Sequence, residues 1–192
     1  MKYALPITWL IVFLITDCKQ LGFTDTSPLY THITYQFAHA GLLHLAMNAI
    51  AYIGIYAILC RIGINREAII AAFISATLAP TIHYSLFTVH YSLPTVGASG
   101  FIYALLAAPF ASVLSWKRNL VDKSKFLKFY IILFVATALQ CFIPNVNVSI
   151  HVISFVINAI ILFIYYASTN KSVKFVDKKI PRFTTWDFSD HE

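Results

Sequence analysis

A serine between two glycines is the residue of this chain whose neighbours best suit nucleophilic chemistry. The stretch Gly97-Ala98-Ser99-Gly100 stands where a polar loop gives way to a long apolar segment. A serine hydroxyl is a weak nucleophile until a base removes its proton. At a helix start it lies beside backbone amides without intrahelical partners, which suit the oxyanion formed when serine attacks a carbonyl. The stretch therefore predicts covalent chemistry at Ser99, provided that a base reaches it from another helix.

Two histidines and an asparagine are the candidate partners of this serine. His44 and Asn48 are four residues apart, so on a helix they share one face and can donate toward the same point. His151 opens a later apolar segment and is the candidate base. Taken singly, each could instead form a structural hydrogen bond between helices, as polar residues in membranes commonly do. His39 lies off the face of His44, and we expect it to anchor the loop before the helix.

The placement of the acidic residues narrows the chemistry further. The eight Asp and Glu residues, at positions 17, 25, 67, 122, 177, 187, 190 and 192, all lie outside the predicted helices. A Ser-His-Asp triad is therefore not expected, and a dyad of Ser99 and His151 remains. The same absence disfavours a transporter with a buried carboxylate relay, and the lack of an HExxH motif disfavours a zinc protease. We expect neither a metal nor a cofactor.

The composition predicts a polytopic membrane protein. The chain is 59% hydrophobic and 11% charged, with a mean hydropathy of +0.73, whereas soluble domains carry about 25% charged residues. Residues 1–169 are predicted to form one all-α domain of six transmembrane helices, and residues 170–192 a cytoplasmic basic tail. The predicted helices cover about 3–16, 39–60, 68–87 (interrupted by Pro80 and His83), 99–116, 129–143 and 148–168. His83 and His90 flank the outer end of the third helix and its loop, and we expect both to be solvated loop histidines. Residues 17–38 are predicted to be a long loop, with aromatic residues suited to the membrane interface.

Charge placement predicts how these helices are oriented. With a cytoplasmic N-terminus, all of the 14 Lys and Arg residues except Lys19 fall on the cytoplasmic side, which indicates an N-in, C-in topology. The net charge of +6 is therefore a topology signal, and no nucleic-acid partner is expected. The second, fourth and sixth helices then run in the same direction. His44, Ser99 and His151 should consequently meet at one depth below the outer surface.

These residues together resemble a known family. The stretch from His39 through His44 to Asn48 resembles the HxxxxHxxxN segment of rhomboid intramembrane serine proteases, and Gly97-Ala98-Ser99-Gly100 resembles their GxSG motif. Tyr103 and His151 match the family's stacking tyrosine and catalytic histidine, and the likeness covers nearly the whole chain.

The resemblance implies a role for each residue. Ser99 would be the nucleophile and His151 the general base and acid, with Tyr103 holding the histidine ring. His44, Asn48 and the Ser99 amide would form the oxyanion hole, and Gly97 would let the loop backbone approach the substrate. The first loop would lie partly in the outer leaflet, and the fifth helix would act as a lateral gate.

The implied function is an endopeptidase that cuts single-pass membrane proteins in or near their transmembrane segments. It would act within the lipid of the plasma or inner membrane, with its site open to the extracytoplasmic side. The alternatives are a non-catalytic relative that binds transmembrane segments, and a specialised protease that processes C-terminal anchors. The chain departs from the family by lacking a Trp-Arg pair in the first loop and by carrying Ser154 and Asn158 where glycines are usual. Asn158 must find a polar partner within the bundle. A disulfide between Cys18 and Cys141 is an open alternative to free thiols.

Overall fold

The chain folds into helices packed side by side. The computed structural model describes residues 2–87, 94–115 and 146–169, together with isolated helical residues at 128, 131, 132, 135 and 139. The helices in these ranges are α1 (Ala4–Ile15), α2 (Cys18–Leu21), α3 (Thr31–Thr34), α4 (Leu42–Ile62), α5 (Asn65–Leu86), α6 (Ser99–Ser115) and α7 (Val148–Thr169). Most of the fifth predicted helix, the basic tail and Cys141 lie outside the described residues, while Cys18 is a half-buried free thiol.

Several of these helices have the length and apolarity that a membrane requires. Three described segments could cross a bilayer, namely Leu42–Cys60, Asn65–Leu86 and Val148–Thr169, and Ala4–Ile15 and Ser99–Ser112 are shorter apolar helices. The all-helical prediction is confirmed. The count of six spans and the N-in, C-in orientation stay predictions.

Helix α6 is the central element of the bundle. Every residue from Gly100 to Pro109 is buried, and alanines 104, 107, 108 and 111 are fully inaccessible. Small side chains let neighbouring helices approach closely in an apolar medium. The most extensive packing of α6 is with α7. The residue that opens α6, Ser99, is therefore held on a well-packed scaffold.

Helix α7 presents one polar stripe to α6. His151, Ser154 and Asn158 are all buried on this face, as their spacing of three and four residues requires. The predicted need of Asn158 for a partner is met, because its Nδ2 donates to the Ala104 carbonyl at 2.6 Å. The departure from glycine at position 158 thus adds a hydrogen bond between α6 and α7.

Three expectations about local structure are wrong. Helix α5 continues through Pro80, and His83 is a helical residue with 1% exposure, stacked on Phe87 at 5.4 Å rather than solvated in a loop. Glu67, which was expected to lie outside the helices, is in the first turn of α5, where the helix dipole favours a carboxylate. This acid stands at the opposite end of α5 from His83. His90 lies outside the described residues.

The loop between α1 and α4 is also more ordered than predicted. It contains the one-turn helices α2 and α3, and two of its aromatic residues, Phe23 and Tyr35, are 3% and 1% exposed. These two rings are packed into the protein instead of lying at an interface. The second predicted helix starts at Leu42 rather than about His39, because Gly41 is still extended and His39 belongs to the loop.

Candidate active site

The serine and the histidine that were predicted to form a dyad are in direct contact. Ser99 is the first residue of α6 and His151 lies one turn into α7. The distance between His151 Nε2 and Ser99 Oγ is 2.7 Å. With the ring hydrogen on Nδ1, Nε2 accepts the hydrogen bond from the serine hydroxyl. This is the geometry required for a base that activates a serine.

The ring of His151 is fixed by an aromatic neighbour. Tyr103 lies one turn after Ser99 on the same face of α6, and its ring is stacked on His151 with centroids 4.6 Å apart and planes 9° apart. Within the described ranges, Nδ1 of His151 is buried without a hydrogen-bond partner. Stacking, rather than a carboxylate, is therefore what the described structure offers to orient the ring.

His44 and Asn48 lie beside the turn that leads to the serine. A methyl group built on Gly97 would stand 2.6 Å from Cε1 and 2.7 Å from Nε2 of His44, and 3.6 Å from Nδ2 of Asn48. Gly97 has φ +120°, a backbone conformation that residues with a side chain rarely adopt. Asn48 is 6% exposed, and among the described residues its Nδ2 has no hydrogen-bond partner. The α4 face thus brings donors to the turn, as the four-residue spacing predicts.

His39 lies behind His44 rather than at the serine. Its ring is 5.2 Å from that of His44 and 5.7 Å from Trp9, and its Nδ1 is 3.3 Å from the carbonyl of Phe37. Burial and, secondly, the neighbouring His44 lower the pKa of His39 to about 4. A neutral ring wedged between α1 and His44 fits the predicted role of a loop anchor.

The backbone before Ser99 is tied to the loop between α1 and α4. Phe23 and Thr95 form an antiparallel bridge, with hydrogen bonds of 2.9 Å and 2.8 Å, and the Gly97 amide donates to the Tyr35 carbonyl at 2.9 Å. Gly22 is packed so closely that a methyl group there would lie 2.7 Å from Pro94 Cβ. The loop therefore holds one edge of the segment that delivers the serine.

Sequence reasoning missed Asn147, which connects the same segment to the helix of the histidine. Its Oδ1 accepts from the Ile150 amide at 3.3 Å, and its Nδ2 donates to Thr95 Oγ1 at 3.4 Å. Asn directly before a helix is a preferred N-cap, and its bond to the third helical amide is typical of one. The predicted helix start at Val148 carried this signal. The contact with Thr95 had no local signal.

The arrangement joins a nucleophile, a base and a set of hydrogen-bond donors. Within the described ranges, no group of three or more His, Cys, Asp or Glu side chains is placed to hold a metal ion. Ser99 is half-buried rather than fully enclosed. The group is suited to acyl transfer by a serine whose base is a histidine.

Comparison with protein-family models places most of the chain in a described family. The model of the family described as "Rhomboid domain" matches residues 26–168, a range that contains all of the residues placed around Ser99 above except Trp9, Gly22 and Phe23. No curated protein matches the chain.

Proposed function

The chain belongs to the rhomboid family, and on that premise we propose that it is an intramembrane serine protease with Ser99 and His151 as its catalytic dyad. The family generally consists of intramembrane proteases, and the apolar helices agree with an integral membrane protein. The single observation that carries the proposal is the 2.7 Å contact between Ser99 Oγ and His151 Nε2.

In the proposed first step, His151 Nε2 takes the Ser99 proton as Oγ forms a bond to the carbonyl carbon of the substrate. The carbonyl π electrons move to oxygen, which becomes an oxyanion. When the carbon–nitrogen bond breaks, the protonated His151 gives its proton to the leaving amine. Water then attacks the acyl-serine ester with His151 again as base, and this step releases the acid and restores the serine.

The proposed oxyanion hole consists of Asn48, His44 and the Ser99 amide. Asn48 Nδ2 is the strongest side-chain candidate, because it is a buried donor that lacks a partner among the described residues. Such a donor is costly to leave unpaired, and an oxyanion would satisfy it. The amides at the start of α6 lie in the positive end of the helix dipole, which favours the same charge.

The proposed substrates are single-pass membrane proteins. A peptide bond within a regular helix has its carbonyl hydrogen-bonded and shielded, so a substrate segment must unwind before Ser99 can attack it. Segments with small or helix-breaking residues unwind most easily. We place the site on the extracytoplasmic side of a plasma or inner membrane, because the positive-inside distribution puts the start of α6 there.

The test combines cleavage with active-site labelling. Purified protein in detergent is given a model single-pass substrate and, separately, a fluorophosphonate probe. The expected result is cleavage together with labelling of Ser99, and the loss of both in Ser99→Ala and of cleavage in His151→Ala. Ser75→Ala is the matched control, because among the described residues the hydroxyl of this buried serine donates to the Ala71 carbonyl of its own helix at 2.7 Å, and its loss should leave both signals unchanged.

The outcomes separate the candidate functions. Labelling that persists in Ser99→Ala refutes the nucleophile, and full cleavage by His151→Ala refutes the dyad. A wild-type protein that binds a transmembrane segment but neither cuts it nor reacts with the probe is a non-catalytic relative. Cleavage restricted to segments at a substrate's C-terminus identifies the specialised processing protease.

A further inference from the structure

A proline in α5 leaves one backbone carbonyl without its usual donor. Pro80 lacks the N–H that would bond the carbonyl of Ala76 four residues earlier, yet α5 continues from Asn65 to Leu86. The hydroxyl of Tyr35 takes the place of the missing donor, at 2.7 Å from the Ala76 oxygen. A buried carbonyl at a proline needs such a partner. Tyr35 is thereby anchored to α5 by its side chain.

The same tyrosine contacts the chain on both sides of Ser99. Its backbone carbonyl accepts from the Gly97 amide at 2.9 Å. Its hydroxyl stands 3.2 Å from the point that a methyl group on Gly100 would occupy. Burial raises the pKa of Tyr35, so the phenol stays protonated and donates. Its 1% exposure leaves the side chain little freedom to move.

We propose that Tyr35 is a positioning residue for the reaction at Ser99, with the carbonyl exposed by Pro80 as its anchor. This inference rests on the proposed protease function. The Tyr35 carbonyl holds Gly97 in the φ +120° conformation that brings its Cα against His44. Release of the Tyr35 hydroxyl lets the residue shift, and Gly97 and Ser99 shift with it. The Tyr35 hydroxyl bonds Ala76 and its carbonyl bonds Gly97, so its proposed effect is on the alignment of the nucleophile with the oxyanion donors.

The competing explanation is that the hydroxyl merely satisfies Ala76 and so stabilises the fold. The two roles are separable because position 80 can supply the donor itself. In Pro80→Ala the new amide lies where a regular helix bonds the Ala76 carbonyl. The double variant Tyr35→Phe/Pro80→Ala therefore restores the partner of Ala76 without restoring the tether of Tyr35.

The experiment measures stability and rate on the full-length protein in detergent. The variants are Tyr35→Phe, Pro80→Ala, the double variant, and Tyr52→Phe as matched control. Tyr52 is fully buried, and among the described residues its hydroxyl has no partner. Thermal unfolding gives stability, the final extent of fluorophosphonate labelling gives the folded active fraction, and the labelling rate and kcat give alignment.

We expect Tyr35→Phe to lower kcat and the labelling rate by about 10-fold, because a misplacement of about 1 Å caused by a mutation outside the chemistry can cost about 10²-fold. KM and the final labelling extent should stay within about 2-fold, and Tyr52→Phe should match the wild type. In the double variant the melting temperature should recover while the rate stays low. If the double variant recovers the labelling rate as well as the stability, the positioning role is overturned. A labelling rate in Tyr35→Phe equal to that of Tyr52→Phe overturns it as well. A wild-type protein without activity or Ser99 labelling refutes the protease function instead, so the two failures are distinguishable.

Discussion

Gly97→Ala should inactivate the protein without removing any group that takes part in the reaction. The added methyl carbon would lie 2.6 Å and 2.7 Å from two ring atoms of His44, closer than real side-chain contacts allow. The backbone cannot relieve the clash easily, because φ at Gly97 is +120° and Gly97 is hydrogen-bonded to Tyr35. His44 must therefore turn away from the serine.

The size of the effect follows from two separate costs. Forcing alanine into this conformation costs about 1–3 kcal/mol of stability. Displacing one donor of an oxyanion hole costs about 10²–10³-fold in kcat, which is about 3–4 kcal/mol at 1.36 kcal/mol per tenfold change. We therefore expect kcat to fall by at least about 100-fold and the melting temperature to fall modestly.

The assay is cleavage of a model transmembrane substrate, with Gly54→Ala as the matched control. Gly54 is exposed in α4 with nothing within 4 Å of an added methyl group, so that variant should be as active as the wild type and slightly more stable. The Gly97→Ala effect is then measured again in a His44→Ala background. Because the clash is absent there, the second substitution should add far less than about 100-fold.

Two results would refute this reasoning. Near-normal kcat in Gly97→Ala would mean that the turn has room for a side chain. If Gly97→Ala lowers kcat equally in the wild-type and His44→Ala backgrounds, the loss does not arise from displacement of His44.

Three further variants test how the proposed dyad of Ser99 and His151 is supported. Tyr103→Leu should slow fluorophosphonate labelling by about 10-fold at unchanged final extent, since positioned acid–base groups contribute about 10²–10⁴-fold. Tyr103→Phe keeps the stacked ring and should keep most of the rate. Equal labelling rates in the two variants would show that the ring does not position His151. Asn147→Ala should lower the free energy of unfolding by about 0.5–2 kcal/mol through loss of the N-cap, as measured by thermal unfolding, and Asn147→Ser should recover most of this stability. If Asn147→Ala is as stable as the wild type, Asn147 does not act as a stabilising cap. Asn158→Leu should lower the free energy of unfolding in detergent by about 0.6–2 kcal/mol, the range measured for hydrogen bonds between membrane helices. The rate of Ser99 labelling should stay within about 2-fold of the wild type. A large loss of labelling rate without a loss of stability would contradict a purely structural role.

The residues of the candidate site could be found from sequence because periodicity and direction determine their placement. His44 and Asn48 share a face by their spacing, and the polar stripe of α7 follows from the offsets of Ser154 and Asn158 from His151. Charge placement predicted that the three helices run in the same direction, which is the condition for these side chains to meet. None of these inferences needed knowledge of a loop.

The supports of the site could not be predicted in this way. The pairing of Phe23 with Thr95 and the contact of Tyr35 with Gly97 join residues far apart in sequence through irregular backbone, where no period applies. Pro80 predicts an interruption because a proline normally breaks a helix. The helix continues because a side chain from a distant loop, Tyr35, supplies the missing donor. The expectation of a solvated His83 fails for the related reason that α5 is not interrupted near it.

The two glycines around Ser99 are required for different reasons, and the difference says how the site is built. Gly97 leaves room for His44, so its lack of a side chain serves the proposed oxyanion donors. Gly100 faces the other way, where a methyl group would meet Ile150 and Tyr35 at 3.2 Å and Ser154 at 3.3 Å. It therefore sets how closely α7 and the first loop approach α6. Ser154 keeps this approach short because it is small, and Asn158, one turn later, fixes it with a hydrogen bond of 2.6 Å. The distance between Ser99 and His151 thus depends on packing at positions that take no part in the chemistry.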